Sequence, residues 1–181
     1  MKQNKIPEFV PSPLCTNHKP LYGIISSISN RQTQEFMDVF GYGNGYVAIP
    51  PDHPYYGMDE GNKELDWIQV HGGITYGGPV LEDENQLAPM LQEAESVFGR
   101  FTDPEEKRTV GPLIEIPKDY WLIGFDTCHG RDNRKNWDRD RVAEEVRWLH
   151  QQLDGAYYIE EHHRWGLENG LYDDEENPST K

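Results

Sequence analysis

Thirteen prolines and 17 glycines are spread along 181 residues, and they break the chain into short pieces. Proline fixes φ and removes a backbone donor, while glycine tolerates conformations that other residues avoid. A chain punctuated this way folds as a compact core with long irregular connections around it. The mean hydropathy of −0.84 points the same way. Aromatic residues at 12%, with five Trp and ten Tyr, argue against wholesale disorder, because disordered chains are poor in them. No window approaches the ~18 consecutive apolar residues of a membrane span. The segment after Met1 has no apolar h-region, so no secretory leader is expected. Cys15 and Cys128 are too few for a disulfide scaffold and fit a reducing cytosol.

Pro7, Pro11, Pro13 and Pro20 make residues 1–30 read as an extended arm. Gln32 to Phe40 suits a short helix, closed by the glycines from Gly41 to Gly45. Tyr46 to Ile49 reads as a buried strand stopped by Pro50-Pro51. A second strand is expected from Leu65 to Thr75, interrupted by a bulge at Gly72-Gly73. Leu87, Leu91, Ala94 and Phe98 recur at helical spacing, with Gly99 as terminator. Leu113 to Ile116, before Pro117, suits a short strand. The clearest strand is Tyr120 to Phe125. The clearest helix runs from Arg139 to Leu153, with Val142, Val146, Leu149 and Leu153 on one face. Asp138 or Asp140 is placed to cap its start, and Gly155 to end it. Together these predict a single compact α+β domain over 31–155. Its small, mainly antiparallel sheet carries a C-terminal amphipathic helix on one face. Residues 156–181 form an acidic extension expected to be partly disordered.

The 17 basic against 32 acidic residues leave a formal net charge of −15. That argues against a general nucleic-acid binder, which needs a basic stripe to displace counterions. Acidity has a plain reading, solubility, and a sharper one, surface mimicry that blocks a host protein.

Three polar clusters sit at the ends of expected strands. They are Pro50 to Gly57, Val70 to Gly78 and Gly124 to Asp132. If those strands are neighbours, His53, His71, Asp126, His129 and Asp132 converge on one pocket. His71 precedes Gly72 and Gly73, and such glycines leave amides open to a phosphate or carbonyl. The alternative is a strand bulge with a core histidine bonded to backbone. Whether Thr75 shares a face with His71 is open. Asp126, His129 and Asp132 form a D-x-x-H-x-x-D pattern that suits a divalent cation or acid–base chemistry. An ordinary Asx turn, with Asp132 paired to Arg131 or Arg134, accounts for it equally. Cys128 beside His129 invites a thiol nucleophile, but neighbours on an extended segment point to opposite faces, so an inert thiol is expected. His162-His163 reads as a solvated pair. The chain has no Walker loop, no G-x-S-x-G elbow, no H-E-x-x-H and no paired C-x-x-C motif.

Tyr46 to Pro50 with His53 to Gly57, then Val70 to Tyr76, then Trp121 with Gly124 to Asp126, His129 and Asp132, resemble a family of small proteins. That family occurs in bacteriophage genomes and in bacteria carrying such elements. The resemblance spans roughly Gly45 to Leu153. It implies a setting, a small accessory protein in the host cytoplasm, and not an activity. Members often read Gly-Phe-Asp-Cys-small-His. Here Thr127 holds the place after the aspartate and Cys128 follows, so a mechanism needing that thiol is in doubt. The setting and a pocket of His, Asp, Tyr and Gly imply a polar, nucleotide-like ligand, such as an immune second messenger.

The expected activity is hydrolysis, with His71 or His129 as base and the pair Asp126 and Asp132 orienting it or holding a divalent cation. The ligand would meet His53, Tyr55, Gly72, Gly73, Thr75, Tyr76, Trp121 and Asp132, with Tyr55, Tyr76 or Trp121 stacking on a base. The rival readings are a sponge that sequesters the nucleotide, and the acidic blocker. A homo-oligomer is compatible with either.

Overall fold

In the computed structural model, residues 19–27, 40–83, 86–87, 94–98 and 116–168 are described. Behind Pro20, Tyr22–Ser27 forms β1, and beyond the glycine-rich run Gly43–Ile49 forms β2, which stops at Pro50. Tyr76–Pro79 is β3; Leu81–Asp83 (β4) and Gln86–Leu87 (β5) make a separate two-stranded ribbon. Ala94–Phe98 is β6, Trp121–Phe125 is β7, and Arg139–Glu168 is the helix α1. The main sheet has five strands in the order β3-β7-β2-β1-β6, and every neighbouring pair is antiparallel. The fold is α+β, a small antiparallel sheet with the C-terminal helix on one face.

The central strands are apolar almost throughout because both of their faces are covered. On one face Ile25, Val47, Ile49, Ile123 and Phe125 meet Val142, Val146, Leu149 and Leu153 of α1. On the other, Ile24, Tyr46, Ala48 and Leu122 pack with Val80 and Tyr120. The four helix residues are fully buried, each adding about 1.5–3 kcal/mol of apolar burial. Helix and sheet approach so closely at Gly45 that a Cβ there would lie within 2.6 Å of both Val146 and Phe125. Asp138 is the cap of α1: its Oδ1 accepts from the Arg141 amide at 2.9 Å.

Four expectations need correction. Residues 65–75 are not a strand. Asn62 caps a 3-10 turn at Lys63–Leu65, and Leu65 and Ile68 turn inward together one helical turn apart. Gly72 and Gly73 then take φ of 70° and 85°, outside the strand region. Ala94–Phe98 is not helical but pairs with the edge of β1, a tertiary contact that outweighs a four-residue periodicity. β1 lies inside the expected N-terminal arm, drawn into the sheet by its apolar run. Finally, α1 passes through Gly155, so residues 156–168 of the expected extension are helical. Glycine costs a helix interior about 1 kcal/mol, and burial of Leu153, Ala156 and Tyr157 around it offsets that.

The helix expected before Phe40, the strand at Leu113 and the tail from 169 onward fall on residues outside those described. By packing, the chain divides into Lys19–Tyr157 and a second unit of Met1–His18 with Tyr158–Lys181. Sheet, core and candidate site all belong to the first. No helix among the described residues is long and apolar enough to cross a membrane.

Candidate functional site

The polar turn after β7 is built from the strand end outward. Thr127 is fully buried and donates to the Gly43 carbonyl at 2.7 Å, while its own carbonyl accepts from the Gly41 amide. That double tie fixes the turn to the entrance of β2. Asp126 Oδ1 accepts the Cys128 amide at 2.8 Å, an Asx turn. Two residues share the next turn reciprocally. The Asp132 amide donates to the His129 carbonyl, and the His129 amide donates to Asp132 Oδ2 at 2.9 Å.

The second wall is the turn at residues 70–73, closed by the Gly73 amide on the Val70 carbonyl. It is held by α1, although far from it in sequence. Glu145 Oε1 accepts the His71 amide at 2.7 Å, and Gln152 bonds both backbone groups of Gln69. Trp137, the residue before the helix cap, lies against the His71 ring with centroids 4.0 Å apart.

Between these walls the side chains meet. His71 Nε2 donates to Asp132 Oδ2 at 2.8 Å, since a carboxylate can only accept. Asp132 is buried, 6% exposed, and its Oδ2 thus serves two donors. The His129 ring stands edge-on to His71 at 4.9 Å. Its Nε2 is buried, has no hydrogen-bond partner among the described residues, and lies 3.9 Å from Asp126 Oδ1. Gly72 leaves the room: a Cβ there would collide with His129 Nε2.

His71, Asp126, His129, Asp132 and Gly72 are therefore brought together. Gly73 shares the turn, but a Cβ on it would meet nothing. Thr75 donates its amide to the Gly124 carbonyl, which sets it beside the end of β7 that carries Asp126. Tyr76 is opposite Gly124 in register and packs edge-on against Tyr46. Burial pushes the Tyr46 hydroxyl up to about 12, with Tyr76, Asp126 and Cys128 adding to the rise and the bond from Asn44 opposing it.

Three expected pocket residues lie elsewhere. His53 is 3% exposed, and its Nδ1 accepts the Tyr55 amide while its Nε2 meets the Leu153 carbonyl at 3.0 Å. Its anchor on α1 is about 12 Å along the helix from Glu145, the anchor of His71. Tyr55 accepts from the Trp67 indole, and Trp121 donates to the Met58 carbonyl from the opposite end of β7, ~16 Å along the strand from Asp126. Each is placed there by a bond the sequence does not advertise.

Trp137 and Glu145 are the site residues the sequence reading does not single out. Trp137 carries a signal, an aromatic directly before a helix cap; Glu145 reads as one more surface charge. Cys128 is exposed, and partial burial followed by the charges of Asp126 and Asp132 pushes its thiol up, away from the reactive thiolate. Compared with models of known families, with curated proteins and with solved structures, the chain matches none of them.

Proposed function

We propose that this protein is a phage-type accessory hydrolase that cleaves a phosphate ester of a nucleotide-like small molecule, such as an immune second messenger. The observation that carries the reading is the inward, unpartnered Nε2 of His129 beside the His71–Asp132 pair. A buried polar atom left unpaired costs about 1–3 kcal/mol, so its retention favours a role with a ligand. The cluster consists of imidazoles and carboxylates, groups suited to moving protons. In the reaction, a water oxygen bonds to phosphorus as the P–O bond to the leaving oxygen breaks. The cluster takes the water proton and the leaving oxygen is protonated in turn. A nucleotide as ligand is supported by the resemblance to phage-associated proteins.

The test is incubation with a panel of cyclic nucleotides, then denaturation and chromatography. A new product supports hydrolysis. Recovery of intact ligand from the denatured protein would replace it with sequestration, and neither result would turn attention to an acidic surface that blocks a host protein.

A further inference from the structure

His71 and His129 present ring nitrogens, and Asp132 a carboxylate oxygen, that all lie within 4.8 Å of one another. We infer that these three side chains form a binding site for one first-row transition-metal ion, zinc in the first instance. The inference rests on the reading of this cluster as the working site and deepens it by naming what the cluster holds.

The donors come from two turns that α1 and the sheet fix separately. His71 is held by Glu145 at its amide and by Trp137 at its ring, while Asp132 is tied through the backbone of its own turn. Such outer contacts are what orient ligands around a metal. The His71 Nε2 to Asp132 Oδ2 separation of 2.8 Å is about 0.5 Å short of the ~3.3 Å between two tetrahedral ligands at ~2.0–2.1 Å from a shared ion, so the pair has only to open by that much to admit one. Without an ion that gap is closed by a proton. His129 then completes a face of the site by a small rotation, and its Nε2 has no hydrogen bond among the described residues to give up.

Two imidazoles and one carboxylate select zinc and its first-row neighbours over magnesium or calcium, which prefer oxygen. Three protein ligands also leave a coordination position open, as in catalytic rather than structural sites. An ion in such a site lowers the pKa of water. Asp126 stays outside the triad, its Oδ1 bonded to the Cys128 amide and 3.9 Å from His129 Nε2. With His129 engaged on the ion, Asp126 is the group left to accept a proton.

The test uses the full chain, stripped with EDTA and titrated with Zn2+ by calorimetry, with Mg2+ as comparison. Co2+ absorption provides a second readout on the parent protein. The expected result is one saturable Zn2+ equivalent, no comparable Mg2+ binding, and an intense visible Co2+ band of a low-coordinate nitrogen–oxygen site. His129→Ala is the decisive variant, since its Nε2 has no hydrogen bond among the described residues for the fold to lose. It should weaken Zn2+ binding by on the order of 100-fold, at or beyond the upper end of the loss from removing an outer-shell partner. A double His162→Ala, His163→Ala variant should bind as the parent does. No saturable Zn2+ binding, or one equivalent unchanged by His129→Ala, would overturn the site. Product formation by EDTA-stripped protein that binds no Zn2+ would sink the ion and leave the hydrolase reading. Zn2+ binding without turnover of the nucleotide panel would do the reverse.

Discussion

His53 and His71 sit in the same irregular stretch between β2 and β3, each bonded through ring and backbone, and the fold puts them to opposite uses. His53 is sealed between the Tyr55 amide, the Leu153 carbonyl and the Tyr157 ring, so both nitrogens are spoken for by the core. His71 is 22% exposed, shares its proton with Asp132 and faces a second imidazole with an open nitrogen. A histidine beside prolines or glycines can thus be a core tie or a chemical group. What separates the two is whether the ring nitrogens end on backbone or on other titratable side chains.

The largest effect that sharpens this contrast is on stability. His53→Ala leaves a cavity and orphans backbone partners, and should cost about 2–4 kcal/mol. Thermal unfolding should show a fall of roughly 5–15 °C, with Zn2+ binding per folded molecule unchanged. A drop in metal binding to match would mean that His53 belongs to the cluster after all.

Next come the two glycines of the turn, which differ in what they adjoin. Gly72→Val adds a side chain at φ 70° into the His129 ring, at about 1–3 kcal/mol and with loss of the site. Gly73→Ala meets the same kind of backbone strain at φ 85° with open space around it, so it should destabilise while leaving Zn2+ affinity near the parent's. Equal damage to binding from both would remove the close-approach argument.

His71→Ala should cost about 1–2 kcal/mol in chemical unfolding, because buried Asp132 loses a donor and Trp137 its neighbour. His129→Ala removes a buried nitrogen with no hydrogen bond among the described residues, which offsets the ring packing lost against His71, so it should cost less than His71→Ala or stabilise slightly. If the order of those two were inverted, His129 would have a structural bond that the geometry does not show.

What the sequence made legible follows from where each element finds its partners. Strands β2 and β7 were readable because both faces are buried and their apolar runs are continuous. The start of α1 was readable because Asp138 and the Val142-Val146-Leu149 stripe are local signals. Residues 65–71 were not, since Leu65, Asp66 and Ile68 bond within their own turns while Gln69 and His71 are held by Gln152 and Glu145 on a helix far along the chain. The passage of α1 beyond Gly155 was equally hidden, because it depends on Tyr157 packing against His53. For the candidate site, the D-x-x-H-x-x-D spacing and the His-Gly-Gly step picked out two loops that the fold brings together. The division of labour within them, Asp132 with His71 and Asp126 outside, needed the tertiary structure.

The smallest effect concerns a third histidine. His150 on α1 is held below its ordinary value by burial, against the opposing influence of Asp154 and of a bond to the Leu21 backbone. Its neutral form is favoured in the fold, whereas in the unfolded chain it titrates near pH ~6.5. The unfolded state therefore binds more protons below that pH, and stability should be full above ~6.5 and decline as pH falls through it. His150→Gln should flatten that part of the melting-temperature profile. A parent profile that rises on acidification would refute the assignment.

The contrast between tie and cluster is read most directly from the imidazole nitrogens themselves, by long-range proton–nitrogen NMR of the full chain before and after one equivalent of Zn2+. His53 should show a fixed tautomer, protonated at Nε2 and accepting at Nδ1, with shifts that do not respond to the ion. Nε2 of His71 and of His129 should both move by the large change that marks coordination. Nitrogen shifts of His129 that stay in place while the ion binds, or movement at His53 instead, would contradict the account.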